Sequence, residues 1–176
     1  MPVSQFNLSE GQRAERKYLL TVAEWTEGSG TSATIEREIL GTRTEDSSVE
    51  YNPDIETSTD IRGFNYTDVN KTQPQQDFDP YLVLGGSKLG AKLNDIRRRN
   101  ALSELNQFTI YLITAYVGTT GAYQAERHTD CTIMYNSLGG DTKVNMPISV
   151  YLSNKITTGT VDVLSDDFEF TADANI

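Results

Sequence analysis

The sequence is poor in the residues that carry most enzyme and metal chemistry. Its 176 residues include one cysteine, Cys131, and one histidine, His128. A single cysteine excludes an internal disulfide, and its neighbours in "CTIMY" indicate a small buried side chain on a strand. The two residues form "HTDC", but nothing nearby supplies the remaining ligands of a tetrahedral zinc site. A Ser-His-Asp triad would have to use His128, and no serine lies in a nucleophile-elbow context.

Long apolar runs are missing as well. No stretch approaches the roughly 20 apolar residues that a helix needs to cross a bilayer. The start, "MPVSQFNLSEGQRAERK", lacks the hydrophobic core of a signal peptide. We therefore expect no membrane association, and a protein that stays in the cytosol or leaves it by a route other than classical secretion.

Basic residues are outnumbered by acidic ones, 15 to 25, which gives a net charge of −10. This balance argues against a protein that grips nucleic-acid phosphates. The string "GGSKLG" lacks the spacing of a phosphate-binding loop, so no nucleotide cofactor is expected. The carboxylates of "DFD" (77–79) and "SDDFE" (165–169) are suitable ligands for a hard cation such as Ca²⁺. Neither has the spacing of a known loop, so a solvated surface is the favoured interpretation.

Alternating apolar residues predict a chain made mostly of strands. The predicted class is mainly β: an antiparallel β-sandwich or partial barrel with one flanking helix, in a single domain over residues 1–176. Residues 1–16 are predicted to form an N-terminal arm. Pro147 indicates an edge or a bulge within its strand. The predicted strands are 18–25, 32–40, 47–52, 107–117, 129–136, 143–153, 158–164 and 167–173.

One amphipathic helix is predicted over residues 87–105, with Ser87 as its N-cap. Its solvent face is basic and includes Arg97, Arg98 and Arg99, although three consecutive helix positions do not form one patch. Residues 45–80, with nine acidic and two basic residues, carry −7. A chain with one basic element and separate acidic ones can pair head to tail with copies of itself, and such contacts generate rings or filaments.

Residues 53–82 have neither the period of a strand nor that of a helix, and we predict that they form a long loop. A structureless stretch of this length inside a compact domain is usually functional. Its apolar side chains are too large to leave in water and too irregularly spaced for an element of their own subunit. We therefore predict that the loop contacts a neighbouring subunit. The predicted subunit-contact residues are Ile61, Phe64, Tyr66, Val69, Phe78 and Tyr81, together with Arg97, Arg98 and Arg99.

The order of elements resembles a known structural family. The strings that carry the resemblance are "VEYNPDIETSTDIRGFNYTDVNKTQPQQDFDPYL", "SKLGAKLNDIRRRNALSEL" and "AYQAERHTDCTIMYNSLGGDTKVNMPISVYLSNKITTGTV". The resemblance covers roughly residues 47–172. The chain resembles the major tail tube proteins of long-tailed phages of Gram-positive bacteria, and none of these strings is a catalytic or ligand motif.

The resemblance implies a structural subunit that forms hexameric rings, stacked into a hollow tube through which DNA leaves without specific binding. It implies no enzymatic activity, and it places the protein in the virion tail after assembly in the host cytoplasm. It further implies contacts with a tape measure protein and with tail terminator or baseplate proteins. A non-contractile tail is favoured. The long loop and the two terminal arms would join neighbouring subunits or rings.

Two other functions stay open from the sequence. One is a tube subunit of a related injection device, such as a secretion system or a phage-tail-like bacteriocin. The other is a β-sandwich that binds a small molecule or carbohydrate, or a metal-dependent enzyme built on one. A contractile sheath would favour the first, and a compact monomer with a deep apolar pocket the second.

Overall fold

The computed structural model describes residues 7–163 and 168–174. Within them the secondary structure is mostly β. The strands are β1 (Leu19–Glu27), β2 (Thr34–Ile39), β3 (Val49–Glu50), β4 (Asp54–Thr59), β5 (Asn65–Lys71), β6 (Gln75–Phe78), β7 (Phe108–Thr119), β8 (Ala122–Tyr135), β9 (Ile148–Tyr151), β10 (Ile156–Val161) and β11 (Phe170–Ala172). The helices are α1 (Lys88–Arg99) and three short 3₁₀ helices, Arg16–Tyr18, Gly30–Ser32 and Leu102–Asn106.

Nine of the described strands form one antiparallel sheet in the order β2-β1-β7-β8-β9-β6-β3, with β10 and β11 attached at β8. The long strand β8 divides this sheet because its two halves have different partners. Its first half pairs with β10, up to His128, and its last four residues pair with β9. Between them Asp130 adopts a left-handed backbone with φ of 56°. The predicted class, antiparallel β with one helix, is confirmed, and the sheet does not close into a barrel.

Hydrophobic side chains are buried on both faces of this sheet. In β1, Ala23 and Trp25 enter a large core, while Val22 enters a smaller one. Successive strand residues point to opposite faces, so the two cores lie on opposite sides of the sheet. Helix α1 covers the large core with Leu89, Leu93 and Ile96. The small core is covered by the chain's last described residues, among them Phe168 and Phe170.

Helix α1 is shorter than the predicted 87–105. Ser87 is the N-cap, as predicted, and its hydroxyl accepts a hydrogen bond from the Gly90 N–H. The helix ends at Arg99 because Asn100 takes the left-handed conformation, with φ of 54°. The amides of Asn100 and Ala101 then bond to the carbonyls of Arg97 and Ile96, which is the Schellman ending. The apolar residues that follow continue in a 3₁₀ helix.

The strand around Pro147 also differs from its prediction. Strand β9 begins at Ile148, one residue after the proline, and it has partners on both sides, β8 and β6. The edge position or bulge predicted from Pro147 is therefore wrong. The proline lies outside the strand, so its missing N–H does not interrupt the ladder.

The predicted loop 53–82 is wrong in its secondary structure. Residues 54–71 form a β-hairpin, β4 and β5, and residues 75–78 form β6, an interior strand of the main sheet. The hairpin escaped prediction because both its faces are exposed, so apolar and polar residues do not alternate along it. Strand β6 is too short to show a period.

The predicted N-terminal arm is described from residue 7 onward, and residues 1–6 lie outside the described part. Residues 9–15 are exposed and have no regular structure. The arm is attached where the Asn7 N–H donates to the Tyr116 carbonyl at 3.0 Å and where the Arg16 guanidinium donates to the Ser47 carbonyl at 2.8 and 3.2 Å. Most of the acidic string 165–169 likewise lies outside the described residues.

Candidate assembly surface

The hairpin of residues 54–71, called here the hairpin arm, forms a two-stranded sheet separate from the main one. Within residues 7–163 and 168–174, its strands pair only with each other. At its base, the Gln73 N–H donates to the Tyr51 carbonyl at 2.9 Å, which keeps the two ends of the arm together. All the side chains of β5 are exposed. An isolated two-stranded hairpin is marginally stable in water, so packing against a further surface would stabilise this arm.

The strand register gives the hairpin arm two distinct faces. The aliphatic face carries the cross-strand pairs Ile55–Val69, Thr57–Thr67 and Thr59–Asn65, and the last pair is joined by a hydrogen bond of 2.7 Å from the Thr59 hydroxyl to Asn65 Oδ1. The acidic face carries the pairs Glu56–Asp68 and Ser58–Tyr66. Neither face packs on a core.

The tip of the arm is a defined turn. The Asp60 carboxylate accepts hydrogen bonds from the backbone N–H groups of Arg62 and Phe64, at 2.8 and 3.0 Å. These bonds, above all the one from Phe64, lower the pKa of Asp60. Gly63 follows with φ of 83°, a conformation that suits glycine. The Arg62 guanidinium lies over the Phe64 ring, 5.5 Å from its centre. The turn therefore presents Ile61 and Phe64 in a fixed arrangement.

Four of the predicted contact residues are exposed on this arm. Phe64 is 66% exposed and Val69 61% exposed, and Ile61 and Tyr66 are exposed too. Ile61 and Phe64 lie at the tip, Val69 on the aliphatic face and Tyr66 on the acidic face. At least half of each of these side chains is exposed in the described structure, and their contact with another subunit stays a prediction.

Phe78 and Tyr81 differ from these four. Phe78 is 1% exposed and Tyr81 5% exposed, and both belong to the large core. The expectation that their side chains lack cover within their own chain is wrong. Phe78 is on β6, whose pairing with β9 directs it into the core, and Tyr81 packs beneath helix α1.

Tyr81 takes part in the anchor of helix α1. The Glu38 carboxylate on β2 accepts hydrogen bonds from the Tyr81 and Ser87 hydroxyls, both at 3.0 Å, and from the Leu89 N–H at 3.1 Å. A carboxylate at a helix N-terminus satisfies a free N–H and is favoured by the helix dipole. Burial, the largest cause, raises the pKa of the Tyr81 hydroxyl. This cluster has a structural task within the subunit.

The three predicted arginines have three different environments. Arg99 pairs with Asp95 at 2.7 Å and with Glu104 at 2.8 Å. Arg97 donates to Asn94 Oδ1 at 2.9 Å, while its Nε has no partner. Arg98 is exposed and has no polar partner in the described chain. The hydrogen bonds from Arg99 and Lys92 lower the pKa of Glu104 to about 2. Whether these arginines contact another subunit stays a prediction.

The pair His128 and Cys131 is buried at the point where β8 changes partners. The Nδ1 of His128 lies 2.9 Å from the Ser153 carbonyl oxygen, and the Cys131 thiol donates to the His128 carbonyl at 3.4 Å. Burial raises the pKa of the Cys131 thiol. Across the described residues, no group of three or more histidine, cysteine and acidic side chains is placed to hold a metal ion.

Sequence reasoning missed Ile55 and the Glu56–Asp68 pair. The missed signal is "DIRG" at 60–63, an aspartate three residues before a glycine, flanked by threonine, tyrosine and valine. Asp at the first turn position and Gly at the last are typical of a hairpin with a type I turn.

Two further findings bear on the identity of the chain. No helix in the described ranges has both the length and the apolar character of a membrane span. When the sequence is compared with protein-family models and with curated proteins, neither comparison finds a match.

Proposed function

We propose that this protein is the structural subunit of a phage tail tube, which stacks as hexameric rings into a hollow conduit for DNA during genome ejection. The partners under this proposal are further copies of the chain, with a tape measure protein and terminator or baseplate proteins at the tube's ends. Its location is the virion tail, and its task is assembly rather than catalysis.

The observation that carries the proposal is the hairpin arm. It keeps Phe64 and Val69 in water, and among the described strands its two strands pair only with each other. Large exposed apolar side chains on a projecting element mark interaction sites. A second copy that covers them would supply the core that a two-stranded sheet lacks.

Open strand edges support the same function. In the described chain β2 pairs only with β1, and β3 only with β6. Such edges expose unpaired backbone groups and invite pairing with another chain. In a ring of subunits, these edges would pair with neighbouring copies of the chain.

The charge of the chain also suits a DNA conduit. A net charge of −10 disfavours binding of the duplex, so DNA passes without being held.

Assembly of the purified protein tests the proposal. We expect hollow tubes with a regular axial repeat in negative-stain images at high protein concentration. Replacing residues 54–71 by Gly-Ser-Gly should leave a folded monomer, because the bond between Gln73 and Tyr51 already closes the base of the arm. This variant should form no tubes. The change leaves β6 and Phe78 in place, so the core stays intact.

Three outcomes would contradict the proposal. The wild-type protein could stay monomeric at every concentration, or the armless variant could form normal tubes. Unfolding of the armless variant, seen by circular dichroism, would mean that the arm supports its own subunit. A control with Ile61→Ser and Phe64→Ser keeps the length of the arm and removes only its apolar tip.

A further inference from the structure

The acidic face of the hairpin arm contains a charge conflict that its own chain leaves uncompensated. Glu56 lies directly opposite Asp68 in the strand register. Like charges in this position destabilise a strand pair. The polar partner of Glu56 is the Asn70 amide at 3.5 Å, and neither carboxylate forms an ion pair in residues 7–163 or 168–174. Tyr66 lies on the same face, exposed beside them.

The C-terminal end of helix α1 has the opposite charge, and two of its three arginines have no acidic partner in the described chain. Arg98 is exposed without an ion pair in the described part of the chain, and Arg97 bonds only to a neutral amide. Leu102, which follows the helix, is also exposed. Arg99 differs because Asp95 and Glu104 already neutralise it. The end of the helix thus presents one exposed guanidinium without an ion pair, that of Arg98, next in sequence to the half-buried Arg97.

We infer that the acidic face of the hairpin arm in one copy docks on the Arg97–Arg98 end of helix α1 in a second copy. The inference rests on the proposed function and specifies which surfaces meet. Charge complementarity selects the partner, because two carboxylates without ion pairs on one surface match, on the other, the exposed Arg98 and the half-buried Arg97, neither of which has an acidic partner in the described chain. A guanidinium can also stack on the Tyr66 ring, and Leu102 offers that ring an apolar neighbour.

Charge reversal on each surface, alone and together, tests this contact. The variants are Asp68→Lys, Arg98→Glu and the double variant that carries both. Each single reversal should raise the protein concentration needed for assembly by up to about fivefold, given up to about 1 kcal/mol for an exposed ion pair. The double variant should assemble within about twofold of wild type, because it restores opposite charges across the contact. The measurement is sedimentation of assembled tubes over a protein concentration series.

Matched controls separate this contact from a general effect of charge. Asp141 and Lys143 are exposed side chains in one loop. Asp141→Lys and Lys143→Glu change the net charge by the same amounts, and we expect them to assemble as wild type does. In 1 M salt the Debye length falls to about 3 Å, so the single reversals should approach wild type. All the exchanged side chains are exposed, so circular dichroism should show an unchanged fold.

The outcomes distinguish this inference from the proposed function. Restored assembly in the double variant supports the contact. Wild-type assembly of both single variants, or a double variant as impaired as the worse single one, overturns the contact while tube formation by the wild-type chain stands. A wild-type chain that never assembles overturns both. If a reversal unfolds the chain, the neutral variants Asp68→Asn and Arg98→Gln should each weaken assembly, and their double variant should be no weaker than the worse single one, because both remove the same ion pair; fully additive losses overturn the contact.

Discussion

Two phenylalanines in the same segment should respond in opposite ways to the same substitution. Phe78 is 1% exposed and belongs to the large core, which helix α1 covers. Phe78→Ala should lower the free energy of unfolding by about 3 to 5 kcal/mol, the usual range for a buried phenylalanine. Phe64 is 66% exposed. Phe64→Ala should change stability by no more than about 0.5 kcal/mol, as other surface substitutions do.

The effect of Phe64→Ala should instead appear in assembly. Full burial of a phenylalanine side chain is worth about 1.5 to 3 kcal/mol. Two-thirds of the Phe64 side chain is available for a partner to cover, so Phe64→Ala would reduce the binding free energy of each contact by about 1 to 2 kcal/mol. This corresponds to an increase of about five- to thirtyfold in the protein concentration needed for assembly.

Urea denaturation of the unassembled protein measures the first quantity, and sedimentation of tubes over a concentration series measures the second. Equal loss of stability in both variants would mean that the tip of the arm packs on its own subunit. A Phe64→Ala variant that assembles as wild type does would remove the tip from the contact surface. A Phe78→Ala variant of wild-type stability would show that β6 is not part of the core.

Two further predictions concern the described contacts within the subunit. Glu38→Ala leaves the Leu89 N–H and two hydroxyls without their acceptor, so it should lower the free energy of unfolding by about 1 to 3 kcal/mol in urea denaturation; an unchanged value would mean that Glu38 does not anchor α1. The pKa of Glu104 should be about 2 by NMR titration and should rise toward 4.5 in Arg99→Gln. Because folding lowers this pKa, the ion pair of Glu104 with Arg99 stabilises the fold above about pH 4.5 and loses that contribution as the pH falls to about 2. The contribution is small, because Arg99 is exposed and Glu104 is only partly buried. An unshifted pKa of Glu104 in the wild-type protein would contradict the ion pair.

The fold was predictable where one face of an element is buried. Helix α1 buries one set of side chains and exposes the other, so its period is visible in the sequence. The end of α1 was harder to predict from the sequence, because the apolar positions continue past Asn100 into a 3₁₀ helix. Asparagine tolerates the left-handed conformation, which only the local hydrogen bonds reveal.

The candidate site was only partly predictable, because exposure depends on tertiary pairing. Phe64 and Phe78 both lie in an acidic stretch rich in polar residues, and nothing local separates them. They differ because β6 pairs with β3 and β9, which are distant in the sequence. The hairpin itself has a local signal at its turn, but the strands carry none, since water covers both faces.

The hairpin arm combines hydrogen bonds that define its conformation with a like-charge pair that destabilises it. The Asp60 turn and the bond between Thr59 and Asn65 hold its strands together, while the opposed Glu56 and Asp68 work against them. A segment that is ordered before it binds loses less conformational entropy on binding, so more of its contact energy appears as affinity. Because Glu56 and Asp68 form no ion pair in the described chain, binding to a basic surface would also offset the repulsion between the two carboxylates. The same conflict that weakens the arm in one chain would therefore strengthen its attachment to a second.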